Sequence, residues 1–197
     1  MAGEATGADT WTLAGPGTGV VLARRSRFHA YAAPTPDRDG LERLLRRVRA
    51  EYPNARHIPF AWVDAAGTER SADQGEPPGT AGRPCLDALR RHRLRAAGVA
   101  VARLFGGVLL GAGNLGRAYG EAAAAAVSAA GRLRWETLDR LRLAVPHADL
   151  DRAERAIARA GGRVAARAYE GDRALLDVVV PAGAAPDLRE RWPEGAG

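Results

Sequence analysis

The segment Gly107–Ala125, "GVLLGAGNLGRAYGEAAAA", decides which class of fold the chain can adopt. It holds Gly111, Gly113 and Gly116 at G-x-G-x-x-G spacing, directly ahead of an alanine-rich stretch that predicts a helix. This spacing occurs where a dinucleotide binds, where a helix N-terminus holds another anion, and where glycines only permit tight turns and close packing. Other features of the sequence are needed to choose among these three interpretations.

The dinucleotide interpretation requires a strand before the glycines, further parallel strands after them, and an acidic residue about 20 positions downstream. Val108–Leu110 supplies only the end of a strand, although Glu136 stands at the required distance. Too few strands remain for a doubly wound parallel sheet, and the long upstream part of the chain would have no role. The sequence therefore disfavours a Rossmann fold, and we expect no cofactor.

The glycine-rich segment also fits an anion site. Asn114 is a suitable N-cap for the following helix, and upstream glycines expose backbone N–H groups beside its positive end. Arg103 precedes the segment and Arg117 stands at the start of the predicted helix, so both would add side-chain contacts. The alternative, glycines that serve packing alone, stays open at this point.

Hydrophobic periodicity predicts an α+β domain over residues 18–131. Asp37 or Asp39 would cap its first helix, and Gly131 would end its last. A loop rich in Gly and Pro is predicted over Ser71–Pro84. The predicted strands are Val20–Ala23, Arg27–Ala32, Ile58–Val63 and Val99–Leu104, and the predicted helices cover Leu41–Val48, Leu86–Leu94 and Leu115–Ala130.

A second, smaller domain is predicted over residues 136–193, where the pattern of strands and helices restarts. The turn Glu170-Gly171-Asp172 predicts a hairpin between its last two strands. The β-α-β-β-α order is typical of a ferredoxin-like unit without its final strand. The elements are strand Leu138–Val145, helix Asp149–Ala160, strands Arg163–Tyr169 and Ala174–Val180, and helix Asp187–Trp192.

Charge divides unevenly along the chain. All 29 basic residues are arginine, and the net charge is +6. Met1–Thr137 holds 19 arginines and 13 acidic residues, whereas Leu138–Gly197 holds 10 of each. Codon bias accounts for the missing lysine but not for this asymmetry. An anionic partner for the first domain is therefore favoured, since the planar guanidinium suits phosphate contacts.

Composition excludes several other classes of protein. Cys85 is the single cysteine, so no intramolecular disulfide forms, and four scattered histidines do not supply a metal site. No apolar run reaches the roughly 20 residues that span a bilayer. The polar start, Met1–Thr10, has no signal-peptide pattern. We expect a cytoplasmic protein with no metal and no membrane partner.

Three segments together resemble the IMPACT/YigZ family: "RRSRFHAYAAP" (Arg24–Pro34), "GEPPGTAGRPCL" (Gly75–Leu86) and "VAVARLFGGVLLGAGNLGRAYGEA" (Val99–Ala122). Leu138–Trp192 looks like the small C-terminal domain of the bacterial members. The resemblance implies a first domain like the second domain of ribosomal protein S5, with a left-handed βαβ fold. It also implies a ferredoxin-like second domain similar to the last domain of elongation factor G.

The family resemblance implies a link to translation, through eukaryotic regulators of an initiation-factor kinase. Nucleic-acid binding is the usual proposal for the bacterial branch, and some members carry a proline-dipeptidase label. This sequence departs from the family pattern by losing polar groups. The departures are Gln74 for an acidic residue, Pro78 for serine, Leu109 for a basic residue, and Ala102 and Leu104 within a Thr-Arg-Tyr-Phe-Gly-Gly pattern.

The sequence thus favours a non-enzymatic protein that contacts RNA or ribosome-associated factors, and it predicts no catalytic residue. One alternative is an enzyme acting on a phosphorylated small molecule, for which Asp73 and Glu76 would form an acidic site. Another is a regulator that binds an acidic protein partner. The predicted RNA-binding residues are Arg24, Arg27, Arg56, His57, Arg103, Gly106, Gly107, Gly113, Asn114 and Arg117.

Overall fold

The computed structural model describes residues 10–193. Contacts divide the chain into two compact units, Met1–Trp135 and Glu136–Gly197. Among the described residues, no helix combines the length and the apolar content that crossing a membrane requires.

A five-stranded sheet forms the centre of the first unit, with strand order β2-β3-β6-β4-β5 and every neighbouring pair antiparallel. A separate ladder joins β1 to β7. The bounds are β1 Trp11–Leu13, β2 Gly17–Ala23, β3 Ser26–Pro34, α1 Arg38–Glu51, β4 Phe60–Val63, β5 Glu69–Ala72, α2 Gly82–Arg91, β6 Ala97–Leu104, α3 Ala112–Ala130 and β7 Arg132–Arg134. This antiparallel sheet differs from the parallel sheet that a Rossmann site requires.

The two faces of this sheet carry different helices. Phe28, Ala30 and Ala32 alternate along β3 into a core shared with α2 and α3. Tyr31, between them, joins a second cluster with Leu44 and Val48 of α1. Strand alternation places Arg103 on the α2–α3 side, because Val99 and Val101 of β6 face that core.

Helix ends agree with the sequence in two places and differ in a third. Asp37, one of the two candidates, caps α1 by accepting a hydrogen bond from the Gly40 N–H at 2.8 Å. Gly131 ends α3 with φ +66°. The prediction that Asn114 caps α3 is wrong: Gly111 is the N-cap, and Asn114 lies inside the first turn. Gly111 has φ +75°, a turn conformation that glycine adopts freely, so the helix starts earlier than predicted.

The second unit is a three-stranded antiparallel sheet with strand order β8-β10-β9. One face of this sheet holds a core that includes Leu143, Leu176, Ile157 and Trp192. The bounds are β8 Leu138–Pro146, α4 Leu150–Arg159, β9 Arg163–Glu170, β10 Arg173–Pro181 and α5 Ala185–Arg191.

Candidate functional site

A cleft of about 910 Å³ opens in the first unit, between the segment before β4, the loop that contains Glu76, and the start of α3. Its lining combines basic, polar and apolar side chains. Among the lining residues are Asn54, Arg56, His57, Glu76, Phe105 and Leu109.

Beneath this cleft lies a buried cluster of Glu76, Arg103 and Tyr119. Arg103 Nη1 donates to both Glu76 oxygens, at 2.8 and 3.0 Å, and the Tyr119 hydroxyl donates to Oε1 at 2.6 Å. The side chains of Arg103 and Glu76 are only 8% and 4% exposed. Burial, followed by the hydrogen bond to Glu76 and its charge, raises the pKa of Tyr119 above its ordinary value. The charge of Arg103 is therefore neutralised inside the protein.

Arg103 also supports an exposed aromatic ring. Its guanidinium carbon lies 5.6 Å from the ring centroid of buried Phe28 and 5.5 Å from that of Phe105, distances at which a cation attracts a ring face. Phe105 itself is 58% exposed. Arg103 therefore contacts Glu76 and two aromatic rings, and its predicted contact with an anion stays a prediction.

The loop before α2 is organised by Asp73. Its carboxylate accepts hydrogen bonds from the backbone N–H groups of Gly79 (2.8 Å), Ala81 (3.0 Å) and Gly82 (2.8 Å). Since Ala81 has no capping side chain, Asp73 supplies the acceptor that the start of α2 needs. Burial opposes ionisation of Asp73, but the three N–H donors outweigh it and hold the pKa below its ordinary value. Asp73 and Glu76 are thus both engaged by donors of the protein itself.

We expect Asp73→Asn to lower the free energy of unfolding by about 1 to 3 kcal/mol at neutral pH, because an amide nitrogen replaces an oxygen that accepts from N–H groups. The stabilisation from a lowered carboxyl pKa is complete above the unfolded value of 3.8 and is lost as the pH falls through the folded value. Urea unfolding from pH 7 to pH 2 measures this. Asp172→Asn, with a side chain 92% exposed, is the control, and a pH-independent difference would contradict the role of Asp73.

His57 holds the same loop from the other side. Its Nδ1 lies 3.0 Å from the Gln74 carbonyl oxygen, and its own carbonyl accepts from the Arg103 N–H at 3.2 Å. Gly75 has φ +87°, and a Cβ there would lie 3.0 Å from the His57 Nδ1. The glycine before Glu76 is therefore required both by the backbone and by His57, which is half-buried.

The turn between β2 and β3 lies against the loop that follows β6. Arg24 (φ +42°) and Arg25 (φ +68°) form this two-residue turn in the left-handed region. A Cβ on Gly106 would stand 2.1 Å from the Arg25 carbonyl carbon, and the Gly106 N–H donates to Ser26 Oγ at 3.2 Å. Gly106 therefore serves close packing of the two segments.

This contact creates an exposed surface that is both basic and apolar, which we call the hairpin–loop surface. Among the described residues, none forms an ion pair with the hairpin arginines Arg24, Arg25 and Arg27. Leu109 is 81% exposed, and Phe105 stands beside it in the loop. The name covers the exposed arginines of the hairpin and the exposed apolar residues of the loop after β6: Arg24, Arg25, Arg27, Phe105 and Leu109.

The remaining predicted residues lie around the cleft or along α3. Gly107 and Gly113 have open space where a Cβ would stand. The Asn114 side chain donates to the Leu110 carbonyl at 3.1 Å, so it tightens the helix start. Arg56 is exposed beside the cleft, and Arg117 is exposed on α3. Sequence reasoning missed Phe105 as a site residue, although an aromatic residue directly before two glycines is a visible signal.

Two further kinds of site can be assessed from burial and spacing: a reactive thiol at Cys85 and a metal site. Cys85 is fully buried, and burial, with a smaller contribution from the Asp73 charge, raises the pKa of its thiol. The thiol therefore stays protonated and packs as a small apolar group. Across residues 10–193, no three His, Cys, Asp or Glu side chains group closely enough to hold a metal ion.

Comparison with known proteins places this geometry in a family context. The profile described as the Impact N-terminal domain matches residues 24–127. The chain is 38% identical over 117 residues to "IMPACT family member YigZ" of Escherichia coli, which covers 57% of each protein. It is 42% identical over 106 residues to "IMPACT family member in pol 5'region" of Thermus thermophilus, covering 54% of this chain and 57% of that relative.

A solved structure titled "Crystal structure of an hypothetical protein" is similar over almost the whole chain. It is 31% identical, with a TM-score of 0.68, and the match covers 92% of this chain and 90% of that one. The curated relatives, in contrast, are matched over less than two thirds of their own length.

Proposed function

Because the chain belongs to the IMPACT family, we propose that it is a non-enzymatic protein that contacts RNA in the course of translation. The observation that carries the proposal is the hairpin–loop surface. There, the half-exposed ring of Phe105 directly precedes Gly106, which packs against the Arg24–Arg25 turn, and no acidic residue of the described chain forms an ion pair with the three exposed arginines of the hairpin. The translation component rests on the family resemblance.

The chemistry of this surface suits single-stranded RNA. An exposed aromatic ring supports base stacking, which contributes about 1 to 3 kcal/mol per base in proteins that bind single strands. Guanidinium groups contact phosphates in a bidentate manner and release condensed counterions. We assign Arg103 a separate role as a support for the Phe105 ring, because its guanidinium carbon lies 5.5 Å from the centroid of that ring.

The turn conformation adds support for the arginines. Arg24 and Arg25 occupy left-handed φ values, where Asn or Gly is normally preferred. Non-glycine residues in this region cost of order 1 kcal/mol or more each and concentrate at functional positions. We infer that the chain tolerates this cost because the turn presents both guanidinium groups to a ligand.

The proposal also covers the fold of each of the two units. We propose that the first unit is like the second domain of ribosomal protein S5 and that the second is ferredoxin-like. The β8-β10-β9 order is that of a ferredoxin-like sheet without its last strand, which supports the second assignment.

The first alternative is an enzyme acting on a phosphorylated small molecule. It would use Asp73 or Glu76 as a base, and the contacts of both residues argue against that role. A base must be accessible to a substrate proton. Glu76 lines the cleft, but its carboxylate accepts hydrogen bonds from Arg103 and Tyr119, and Asp73 accepts three backbone hydrogen bonds, so neither carboxylate is left open to a substrate proton. An acidic protein partner would use the same arginines as RNA, and the experiment below separates the two.

We expect fluorescence anisotropy with a labelled single-stranded RNA to show affinity that falls steeply with salt. Arg24→Ala and Arg27→Ala should each weaken binding and flatten the salt slope by about one unit or less. Phe105→Ala should weaken binding about 10-fold without changing the slope, because stacking releases no counterion. With duplex RNA, whose bases are already stacked, Phe105→Ala should have little effect.

The matched control is Arg155→Ala, which removes an exposed arginine from α4 of the second unit. Equal losses for Arg155→Ala and Arg24→Ala would contradict a specific surface. Salt-independent binding would contradict phosphate contacts. No measurable RNA binding at low salt would favour the acidic protein partner instead.

A further inference from the structure

The outer edge of β2 has no backbone partner among residues 10–193. β2 is the terminal strand of the five-stranded sheet, and its ladder runs only to β3, from Gly17 paired with Ala32 to Ala23 paired with Ser26. No other backbone hydrogen bond or isolated bridge in the described chain reaches it. Along these seven residues, the N–H and C=O groups of alternate residues point away from β3 and stand unpaired at the sheet edge.

This edge lacks the devices that normally block pairing. Sheet edges are protected by lysines, prolines, bulges or shortness. The strand "GTGVVLA" (Gly17–Ala23) has no charged residue and no proline, and its register with β3 is unbroken. Val20 is 57% exposed and Leu22 is 71% exposed, both on the sheet face away from α3. The edge therefore combines unpaired backbone with exposed apolar side chains.

The helix above β2 packs closely on the strand through small residues. Gly17 and Gly19 pack directly against α3, where a Cβ on Gly17 would stand 2.3 Å from the Ala126 carbonyl oxygen. The α3 side chain nearest to Gly19 is Ala125, and it is exposed. The side chain nearest to the strand at this point is therefore a single methyl group.

We propose that β2 pairs antiparallel with β2 of a second copy of this chain, about a two-fold axis at Val20. In that register Val20 faces Val20 of the second copy, and Leu22 faces Thr18, so both exposed apolar side chains gain a cross-strand neighbour. Each Arg24 faces Pro16 of the other copy, so no like charges stand opposite each other. A self-complementary, uncharged strand favours a second copy over a charged partner.

This proposal is argued from the outer edge of β2 and does not rest on the RNA proposal, although Arg24 lies at the end of both surfaces. A single added strand buries less surface than stable complexes do. We therefore expect a reversible dimer with a dissociation constant on the order of 10 to 100 µM.

Sedimentation velocity across about 1 µM to 1 mM of the full chain should show the mass doubling from 20.8 kDa with rising concentration. Val20→Lys and Val20→Glu should each remain monomeric, because like charges would meet at the axis. An equimolar mixture of these two variants should associate at least several-fold more tightly than either alone. Leu133→Lys, at another exposed apolar position (55%), is the control and should dimerise like the parent.

A parent protein that stays monomeric to about 1 mM would overturn the proposal. So would a dimer that survives Val20→Lys with unchanged affinity, since the interface would then lie elsewhere. A mixture that associates no better than its separate components would overturn the two-fold axis at Val20. Because Val20 is exposed, each variant should melt at the parent temperature, and thermal unfolding checks that loss of the dimer is not loss of the fold.

Discussion

Replacing Arg103 with methionine is expected to lower the free energy of unfolding by about 3 to 5 kcal/mol. The substitution keeps an unbranched apolar stem but removes the guanidinium, which leaves Glu76 buried without its cation and with only the Tyr119 hydroxyl as a side-chain donor. Urea unfolding followed by tryptophan fluorescence measures the change by linear extrapolation. Arg117→Met, at an exposed arginine of α3, should stay within about 0.5 kcal/mol of the parent.

A triple variant distinguishes the effect of the buried charge on stability from the effect of side-chain packing. Replacing the cluster with Arg103→Met, Glu76→Leu and Tyr119→Phe removes every polar group that depends on another. Buried ion pairs replaced by apolar residues of similar volume are often neutral in stability, so the triple variant should be more stable than Arg103→Met alone. A loss below about 1 kcal/mol for Arg103→Met would show that water reaches Glu76 and that the cluster is not sealed.

The same variant distinguishes support from contact in RNA binding. An arginine that contacts phosphate contributes to the salt slope, whereas one that only holds Phe105 in place does not. With Arg103→Met we therefore expect weaker RNA binding at an unchanged slope, like that of Phe105→Ala. A slope lowered by about one unit would show that the guanidinium reaches the RNA after all.

Local patterns in the sequence predicted most elements of the first unit, because their apolar residues recur at helix or strand spacing. β5 was missed since Glu69–Ala72 has no apolar alternation; it becomes a strand through pairing with β4. The start of α3 was misplaced because residue preferences favoured Asn114 as the cap, whereas the backbone of Gly111 determines the turn. Secondary-structure propensities describe one residue at a time, whereas the formation of β5 and the start of α3 depend on neighbouring residues and strands.

The sequence indicated some residues of the hairpin and of the cleft, but not the contacts that they make. Arg103 follows an apolar strand and looks like an exposed basic residue, but its partner Glu76 lies in a distant loop. No spacing rule connects the two positions, because the contact arises from the sheet placing both against Tyr119. The pattern that does survive in the sequence is Phe105-Gly106, where the small residue permits the close approach and the aromatic residue remains at the surface.

Gly106→Ala is expected to destabilise the first unit by about 3 kcal/mol or more, because the added Cβ would stand 2.1 Å from the Arg25 carbonyl carbon. That neighbour is backbone of a tight turn, which cannot rotate away as a side chain would. Relief of the clash must separate the loop from the hairpin, so Phe105 should also move relative to the turn and RNA affinity should fall with stability. Thermal and urea unfolding measure the first effect, and anisotropy the second.

Gly113→Ala is the matched control, with the opposite expected sign. Gly113 lies in the first turn of α3 with open space where a Cβ would stand, so alanine should stabilise the protein by about 0.5 to 1 kcal/mol through helix propensity. If Gly113 instead lets RNA phosphates approach the helix backbone, the same variant will bind RNA more weakly while melting at a higher temperature. That combination would support an anion site at the glycine segment. Unchanged affinity would instead show that the segment serves packing and helix initiation, and that RNA contact is confined to the hairpin–loop surface.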